Sequence, residues 1–293
     1  MKHEFNYHYN IDFNPRNIVN DDPENANDSI YGNSDVVATD PSHGTFVSGI
    51  IAADRDNGIG MKGIADNVRI MAIRAVPDGD ERDKDVANAI IYAVNNGASV
   101  INMSFGKDVS PQKHMVDKAL KYAESKDVVL VHAAGNESQN TDKSPRYPMN
   151  FIGKDPINSK WLSIGASSID ANESLPGEFS NYGKKTVDIF APGVNIYSLQ
   201  PKNEYDIQDG TSYASPMVAG TAALLKSYYP SLSAQQIKEI ILSSHNDVFK
   251  QLKVNVPSSG KKTKKGSFNK LSATGGLLNV YQAVKLAEET VKN

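Results

Sequence analysis

Five short apolar runs between residues 68 and 192 constrain the fold of this chain more than any other feature of its sequence. Because the runs are apolar at nearly every position, they are typical of strands covered on both faces. Residues with helical spacing separate several of the runs, which favours parallel strands joined by right-handed crossovers. The sequence therefore predicts an α/β fold with α/β/α layers and a mostly parallel sheet. The predicted strands are 68–76, 98–105, 128–134, 161–167 and 186–192.

Helical patterns lie between and after these runs. One apolar stripe contains Val86, Ile90 and Val94, and a second lies within 116–123. Later in the chain, two further helices are predicted. They cover residues 233–244 and 276–292.

The remaining segments predict one domain with a polar extension. Residues 1–42 are polar and rich in turn formers, and we assign them as an insertion-like amino-terminal segment. Residues 43–293 are assigned to a single domain. The lysine-rich stretch 251–272 predicts a solvated loop, with a binding patch as the alternative.

Composition excludes several classes of function. The 293 residues carry a formal charge of −3, so neither nucleic acid nor an anionic membrane is an expected partner. No apolar run approaches the length of a membrane span. The absence of cysteine excludes disulfides, thiol nucleophiles and thiolate metal sites. We expect no required cofactor.

The stretch "DGTSYASPMVAG" (209–220) places Ser212 at a predicted helix start. Serine there has two interpretations. It can cap the helix by accepting hydrogen bonds from the first turn. Alternatively, it can be a nucleophile at the positive end of the helix dipole, where developing negative charge is favoured.

Two other segments are expected to reach the same edge of the sheet as Ser212, beyond the carboxyl ends of the strands. His43 begins a helix rich in small residues, where it could cap the helix or act as a base. Asn136 follows the run 128–134, where it could be an ordinary turn residue or an amide donor to an oxyanion. A base, a hydroxyl and a donor together are the parts needed for acyl transfer.

The motifs around these residues resemble those of subtilisin-like serine proteases. "HGTFVSGIIAA" (43–53), "HAAGNES" (132–138) and "GTSYASPMVAG" (210–220) are similar to the family's histidine, oxyanion-asparagine and serine motifs, in the family's order. Their combination is far more specific than any one of them. Three more segments match as well, "INMSFG" (101–106), "APGVNIYS" (191–198) and "TGGLLNVYQAV" (274–284).

The resemblance implies a serine endopeptidase that acts on polypeptides. In it, Ser212 would be the nucleophile, His43 the general base and then acid, and Asn136 a donor to the oxyanion. Glu137 would lie at the rim of the substrate pocket, either favouring basic side chains or simply solvated. The implied pocket walls are Ser104, Phe105 and Gly106 on one side and Ala133, Ala134 and Gly135 on the other.

The family's triad also contains an aspartate at the end of an apolar strand, in a pattern like Val-Ile-Asp-Ser-Gly, and no segment here matches it. We interpret the chain as truncated before that motif, with a separate amino-terminal fragment or propeptide as an expected partner. Activity of this chain would then be impaired, or the chain would be an inactive binding module. The aspartates that precede His43 are Asp12, Asp21, Asp22, Asp28, Asp35 and Asp40.

Two weaker expectations also follow from the resemblance. Asp54, Asp56 and Asn57 offer hard oxygen ligands where several family members bind calcium, but Asp-Asn-Gly is common in plain turns. A secreted or cell-envelope location is implied only by the resemblance to the family, since the sequence shows no signal-peptide pattern.

Overall fold

A computed structural model describes residue 13 and residues 15–22, 25–37, 40–77, 81–260 and 264–292. Its central sheet has four parallel strands in the order β1-β2-β5-β6. The strands are β1 (Val100–Met103), β2 (Val129–Ala133), β3 (Phe151–Ile152), β4 (Asp155–Pro156), β5 (Trp161–Ser167), β6 (Ile189–Pro192), β7 (Ile196–Gln200), β8 (Glu204–Gln208), β9 (Lys253–Val256) and β10 (Lys264–Ser267).

Helices cover both faces of the central sheet. Val129 and Val131 of β2 pack towards α4 and α5, whereas Leu130 packs towards α2 and α3. This alternation follows from the two-residue period of a strand, and it confirms the predicted α/β/α arrangement. The helices are α1 (Ser42–Ala52), α2 (Asp83–Asn95), α3 (Lys113–Ser125), α4 (Thr211–Tyr228), α5 (Ala234–Ser243) and α6 (Val280–Lys292).

The predicted strand at 68–76 is wrong. The segment makes no ladder hydrogen bonds with any described strand, and Ile70 and Met71 are exposed. Strand 98–105 forms only as β1, which pairs with β2 on one side and with no described strand on the other. An apolar pattern becomes a strand only where a neighbour supplies hydrogen-bond partners.

The segment 251–272 is not a solvated loop throughout its described part. β9 and β10 pair there as an antiparallel hairpin. Val254, Phe268 and Leu271 are buried against Phe190 and its neighbours. These three apolar residues anchor the lysine-rich segment to the rest of the domain.

α1 packs between α4 and the hairpin of β7 and β8. Phe46 and Ile50 of α1 are buried with Ile196 of β7 and Tyr213 of α4. The buried Ser198 hydroxyl donates to the Phe46 carbonyl oxygen at 2.8 Å. These contacts fix the amino ends of α1 and α4 relative to each other, and both ends carry a predicted site residue.

Buried charges tie the amino-terminal segment to α2. Asp21, whose side chain is inaccessible to solvent, forms ion pairs with Lys84 and Arg16. Arg16 also pairs with Asp85 at 2.7 Å, and the Tyr31 hydroxyl donates to the same carboxylate at 2.5 Å. The segment is thus docked by polar contacts rather than by an apolar core.

Candidate active site

Ser212 lies inside the first turn of α4 rather than at its cap. The N-cap residue is Gly210, and α4 begins at Thr211. The Ser212 hydroxyl donates to the carbonyl oxygen of Ser104 at 3.3 Å. No described residue accepts a hydrogen bond from the Ser212 backbone N–H. The capping interpretation is therefore wrong, and the turn presents a hydroxyl and a free N–H at the positive end of a helix dipole.

A close backbone approach places this turn against the end of β6. The Gly210 N–H donates to the Gly193 carbonyl oxygen at 2.8 Å. A Cβ atom on Gly193 would lie 2.7 Å from the Cβ of Ala166 and 2.8 Å from the Gly210 oxygen. Glycine at position 193 is thus required for the Ser212 turn to reach the sheet.

His43 lies at the amino end of α1, next to the Ser212 turn. The N-cap of α1 is Pro41, so His43 does not cap the helix. The ring centroids of His43 and Tyr213 are 5.9 Å apart, and no hydrogen bond joins the imidazole to the Ser212 hydroxyl. Although the residue is exposed, nearby protein atoms displace water from the imidazole and lower its pKa. A lowered pKa favours the neutral imidazole, the form that a general base requires.

Asn136 is attached to the start of α4 through its amide oxygen. Oδ1 accepts hydrogen bonds from the Thr211 backbone N–H at 2.9 Å and from the Thr211 hydroxyl at 2.8 Å. Nδ2 has no acceptor within the described part of the chain. A fixed amide with free hydrogens next to Ser212 is suited to an oxyanion. Thr211, which our sequence analysis did not select, is the residue that orients it.

Asp40 is the aspartate nearest to His43 in sequence, but it binds elsewhere. Its carboxylate accepts hydrogen bonds from the backbone N–H of Ser42, at 2.9 Å, and from the Ser42 hydroxyl. The hydroxyl and N–H of Ser42 lower the pKa of Asp40. The Asp40 carboxylate therefore binds the first residue of α1.

Three other aspartates of the amino-terminal segment are also engaged away from His43. Asp21 pairs with Lys84, and Asp35 lies 3.8 Å from Arg74. Asp28 accepts hydrogen bonds from backbone N–H groups of its own segment. Asp12 lies outside the described residues. Within the described ranges, no carboxylate forms an ion pair or hydrogen bond with His43.

The two predicted pocket walls follow the neighbouring parallel strands β1 and β2. The Phe105 carbonyl oxygen accepts a hydrogen bond from Nε2 of His132 at 2.9 Å. Burial lowers the pKa of His132 to about 4, so this imidazole is a neutral structural link. Gly135 has φ +103°, and a Cβ there would collide with Asn181 and Glu137. Small residues are needed at this wall.

Comparison with known proteins decides the family. The model of the subtilase family, peptidase family S8, matches residues 4–274. This chain belongs to the subtilase family. The match begins inside the segment 1–42 and continues past the Ser212 helix, so it includes all three motif regions.

Several subtilases align with parts of this chain. The thermophilic serine proteinase of Bacillus sp. (strain AK1) is 43% identical over 187 residues, which cover 64% of this chain and 43% of that protein. Subtilisin DY of Bacillus licheniformis is 38% identical over 205 residues, which cover 69% of each. The relatives are therefore longer than the part that this chain matches.

Solved structures agree with this assignment. The prenylagaramide maturation protease PagA has a TM-score of 0.62 and 27% identity, covering 83% of this chain and 82% of that one. A protease from Pseudoalteromonas arctica PAMC 21717 has a TM-score of 0.65 and 26% identity, covering 84% and 70%. The fold of this subtilase is thus shared with proteases of different size.

Arg146 connects the two walls of the subtilase pocket, and our sequence analysis did not select it. Its guanidinium donates to the Gly106 carbonyl oxygen at 3.1 Å and lies 3.0 Å from the Glu137 carboxylate. It also forms an ion pair with Asp108. Glu137, expected from the resemblance at the rim of the pocket, thus already has a cationic partner within the chain.

The loop 53–63 uses its predicted calcium ligands in local turns. The Asp54 carboxylate accepts a hydrogen bond from the Asp56 N–H at 2.9 Å, and the Asn57 amide oxygen accepts one from the Ile59 N–H at 3.1 Å. No cluster of three or more His, Cys, Asp or Glu suited to a metal occurs among the described residues. Of the described helices, none combines the length and apolar character needed to cross a bilayer.

Proposed function

We propose that this subtilase is a serine endopeptidase that cleaves polypeptides through an acyl-enzyme on Ser212. One observation supports the proposal above all. The Asn136 amide oxygen is bonded to Thr211, the residue next to Ser212, and no described residue accepts from the Asn136 Nδ2 or the Ser212 N–H. Such preorganised donors stabilise an oxyanion without further reorganisation.

The chemistry follows from these positions. His43 takes the hydroxyl proton as Ser212 Oγ bonds to the peptide carbonyl carbon, and the carbonyl oxygen becomes an oxyanion. The Ser212 N–H and the Asn136 amide donate to that oxygen. His43 then gives the proton to the leaving amine as the carbon–nitrogen bond breaks. Water, deprotonated by His43, then bonds to the acyl carbon, and the proton returns from His43 to Ser212 Oγ as the ester bond breaks and the acid is released.

The substrate would bind as an extended peptide along the wall at Ser104–Gly106, in the manner of an added strand. The wall at Ala133–Gly135 would face its side chain before the scissile bond. Asp40 and the other described acids leave His43 without a carboxylate partner. We therefore propose that this chain turns over slowly, because no described carboxylate fixes the imidazole tautomer or stabilises the imidazolium.

A fluorophosphonate probe tests the proposal. The Ser212 oxygen would displace fluoride at phosphorus, and the adduct would be located by mass spectrometry of the digested chain. Ser212→Ala should abolish labelling, and His43→Ala should slow it about 100-fold or more. Ser227→Ala is the matched control, because Ser227 lies on the same helix and bonds only locally, to the Leu224 carbonyl.

The lack of a carboxylate partner for His43 among the described residues favours a second candidate, an inactive binding module with the same fold. A module would leave the probe unreacted while still binding extended peptides. Absence of the Ser212 adduct in folded protein, in an assay able to detect labelling about 10,000-fold slower than that of another subtilase, would contradict the endopeptidase proposal.

The rate of labelling should depend on pH through His43. Only the neutral imidazole can accept the Ser212 proton, so the rate should fall as acid protonates it. The pKa of His43 is lowered by loss of water around the ring, so the half-maximal rate should lie below pH about 6.5, the ordinary histidine value. Replacement of the exposed His114 by Gln is the control and should leave the profile unchanged. A midpoint above that pH would contradict the prediction.

A further inference from the structure

The carbonyl group of Ser212 lacks its usual partner in α4. In an α-helix, this oxygen would accept a hydrogen bond from the N–H of residue 216. Residue 216 is Pro216, which is buried inside the helix and has no N–H. Some other group must supply a donor if the carbonyl oxygen of the proposed nucleophile is to be satisfied.

Ser104 supplies that donor from the end of β1. Its hydroxyl lies 2.8 Å from the Ser212 carbonyl oxygen. In return, the Ser104 carbonyl oxygen accepts a hydrogen bond from the Ser212 hydroxyl at 3.3 Å. The two serines, 108 residues apart in sequence, are thus joined by a reciprocal pair of hydrogen bonds.

Asn102 decides which way the Ser104 hydroxyl points. Its Nδ2 lies 2.9 Å from the Ser104 hydroxyl oxygen, and its Oδ1 accepts from the Ser215 hydroxyl at 2.7 Å. The amide can only donate to Ser104 from Nδ2, so Ser104 must direct its single hydrogen elsewhere. That hydrogen goes to the Ser212 carbonyl oxygen.

We propose that Asn102 and Ser104 are positioning residues for Ser212, through a directional hydrogen-bond chain that runs from Ser215 through both of them to the Ser212 carbonyl. The proposal rests on the endopeptidase function of Ser212. The chain replaces the helical bond that Pro216 removes, and it fixes the peptide group after the nucleophile. On the other side, Asn136 fixes the peptide group between Gly210 and Thr211, through the Thr211 N–H. Ser212 is held on both sides, which sets the direction of its side chain.

A double-mutant cycle tests this chain, because residue 216 can be given its N–H back. Ser104→Ala should lower the limiting rate of fluorophosphonate labelling about 10- to 100-fold, with less change in probe affinity, since a displacement of about 1 Å at the reacting centre costs that much. Pro216→Ala restores the helical donor. Ser104→Ala combined with Pro216→Ala should therefore label within about threefold of Pro216→Ala alone.

Asn102→Asp is a second, nearly isosteric probe of the same chain. The carboxylate can only accept, so it should draw the Ser104 hydrogen away from the Ser212 carbonyl oxygen. Labelling should slow to a similar degree, and Pro216→Ala should again rescue it. Ser227→Ala is the control in α4. Circular dichroism of each variant verifies that the fold is retained.

The proposal would be overturned if Ser104→Ala were labelled at the wild-type rate. It would also be overturned if Pro216→Ala did not restore the labelling rate of Ser104→Ala. A structural readout separates this failure from failure of the endopeptidase function. The ¹³C shift of the Ser212 carbonyl should move in Ser104→Ala and return in the double variant, whether or not the wild type reacts. If the wild type is not labelled but the shifts follow this pattern, the endopeptidase proposal is contradicted and the hydrogen-bond chain is supported. If the ¹³C shift of the Ser212 carbonyl is unchanged in Ser104→Ala, the proposed hydrogen-bond chain is contradicted.

Discussion

Supplying His43 with a carboxylate is expected to raise peptide hydrolysis by this chain about four orders of magnitude. The change is an extension before Met1 by a strand of the Val-Ile-Asp-Ser-Gly type. One edge of β1 pairs with no described residue, so it can accept a parallel strand. In subtilisin-like proteases the triad aspartate ends such a strand. The carboxylate would fix the imidazole tautomer and stabilise the imidazolium formed during attack.

The matched control carries Asn in place of that Asp in the same extension. It adds the same strand and the same apolar contacts, but no charge. Hydrolysis of a fluorogenic peptide should rise only with the Asp form. The added carboxylate should also raise the pKa of His43, so the midpoint of the pH–rate profile should move upwards. Equal turnover by folded Asp and Asn forms would contradict a triad that is limited by its missing acid.

Loss of the Asp21 carboxylate is expected to release the amino-terminal segment from α2. Burial alone would raise the pKa of Asp21, but hydrogen bonds from Lys84 and Arg16 outweigh it, and the pKa lies below its ordinary value. Asp21→Asn removes one partner of a buried ion pair and leaves the Lys84 ammonium uncompensated, which costs about 3–5 kcal/mol. Since the segment can detach locally, the effect should appear in residues 15–31 before the sheet unfolds.

Hydrogen exchange and protease cleavage within residues 15–31 would measure this loss. Both rates should rise about 100-fold or more for Asp21→Asn. Asp35→Asn is the control, because its pair with Arg74 is exposed and contributes about 0–1 kcal/mol. The wild type should show the same release in acid. Because the pKa of Asp21 is lowered in the folded state, its carboxylate stabilises the segment above pH about 3.9. This stabilisation is lost as the pH falls through the folded-state pKa of Asp21. Equal exchange in both variants would contradict the prediction.

The sequence predicted the layers of the fold well because apolar periodicity reports which faces are covered. β5 spans the predicted residues 161–167, and α2 and α3 contain the predicted stripes. The prediction failed at 68–76, where the pattern is apolar but no described strand pairs with the segment. It also failed at 251–272, where lysines obscured the few apolar residues that anchor β9 and β10.

The sequence by itself determined which reactive side chains are present, because the order of the motifs placed His43, Asn136 and Ser212 at helix starts or a strand end. Only the tertiary structure decided how each atom is used. From the sequence, Ser212 was a candidate for the N-cap of α4, but in the structure the N-cap residue is Gly210. Hydrogen-bond direction depends on groups more than a hundred residues apart meeting at specific distances, as Asn102 and Ser215 do. Local patterns encode the path of the backbone, and they carry no information about which distant donor reaches which acceptor.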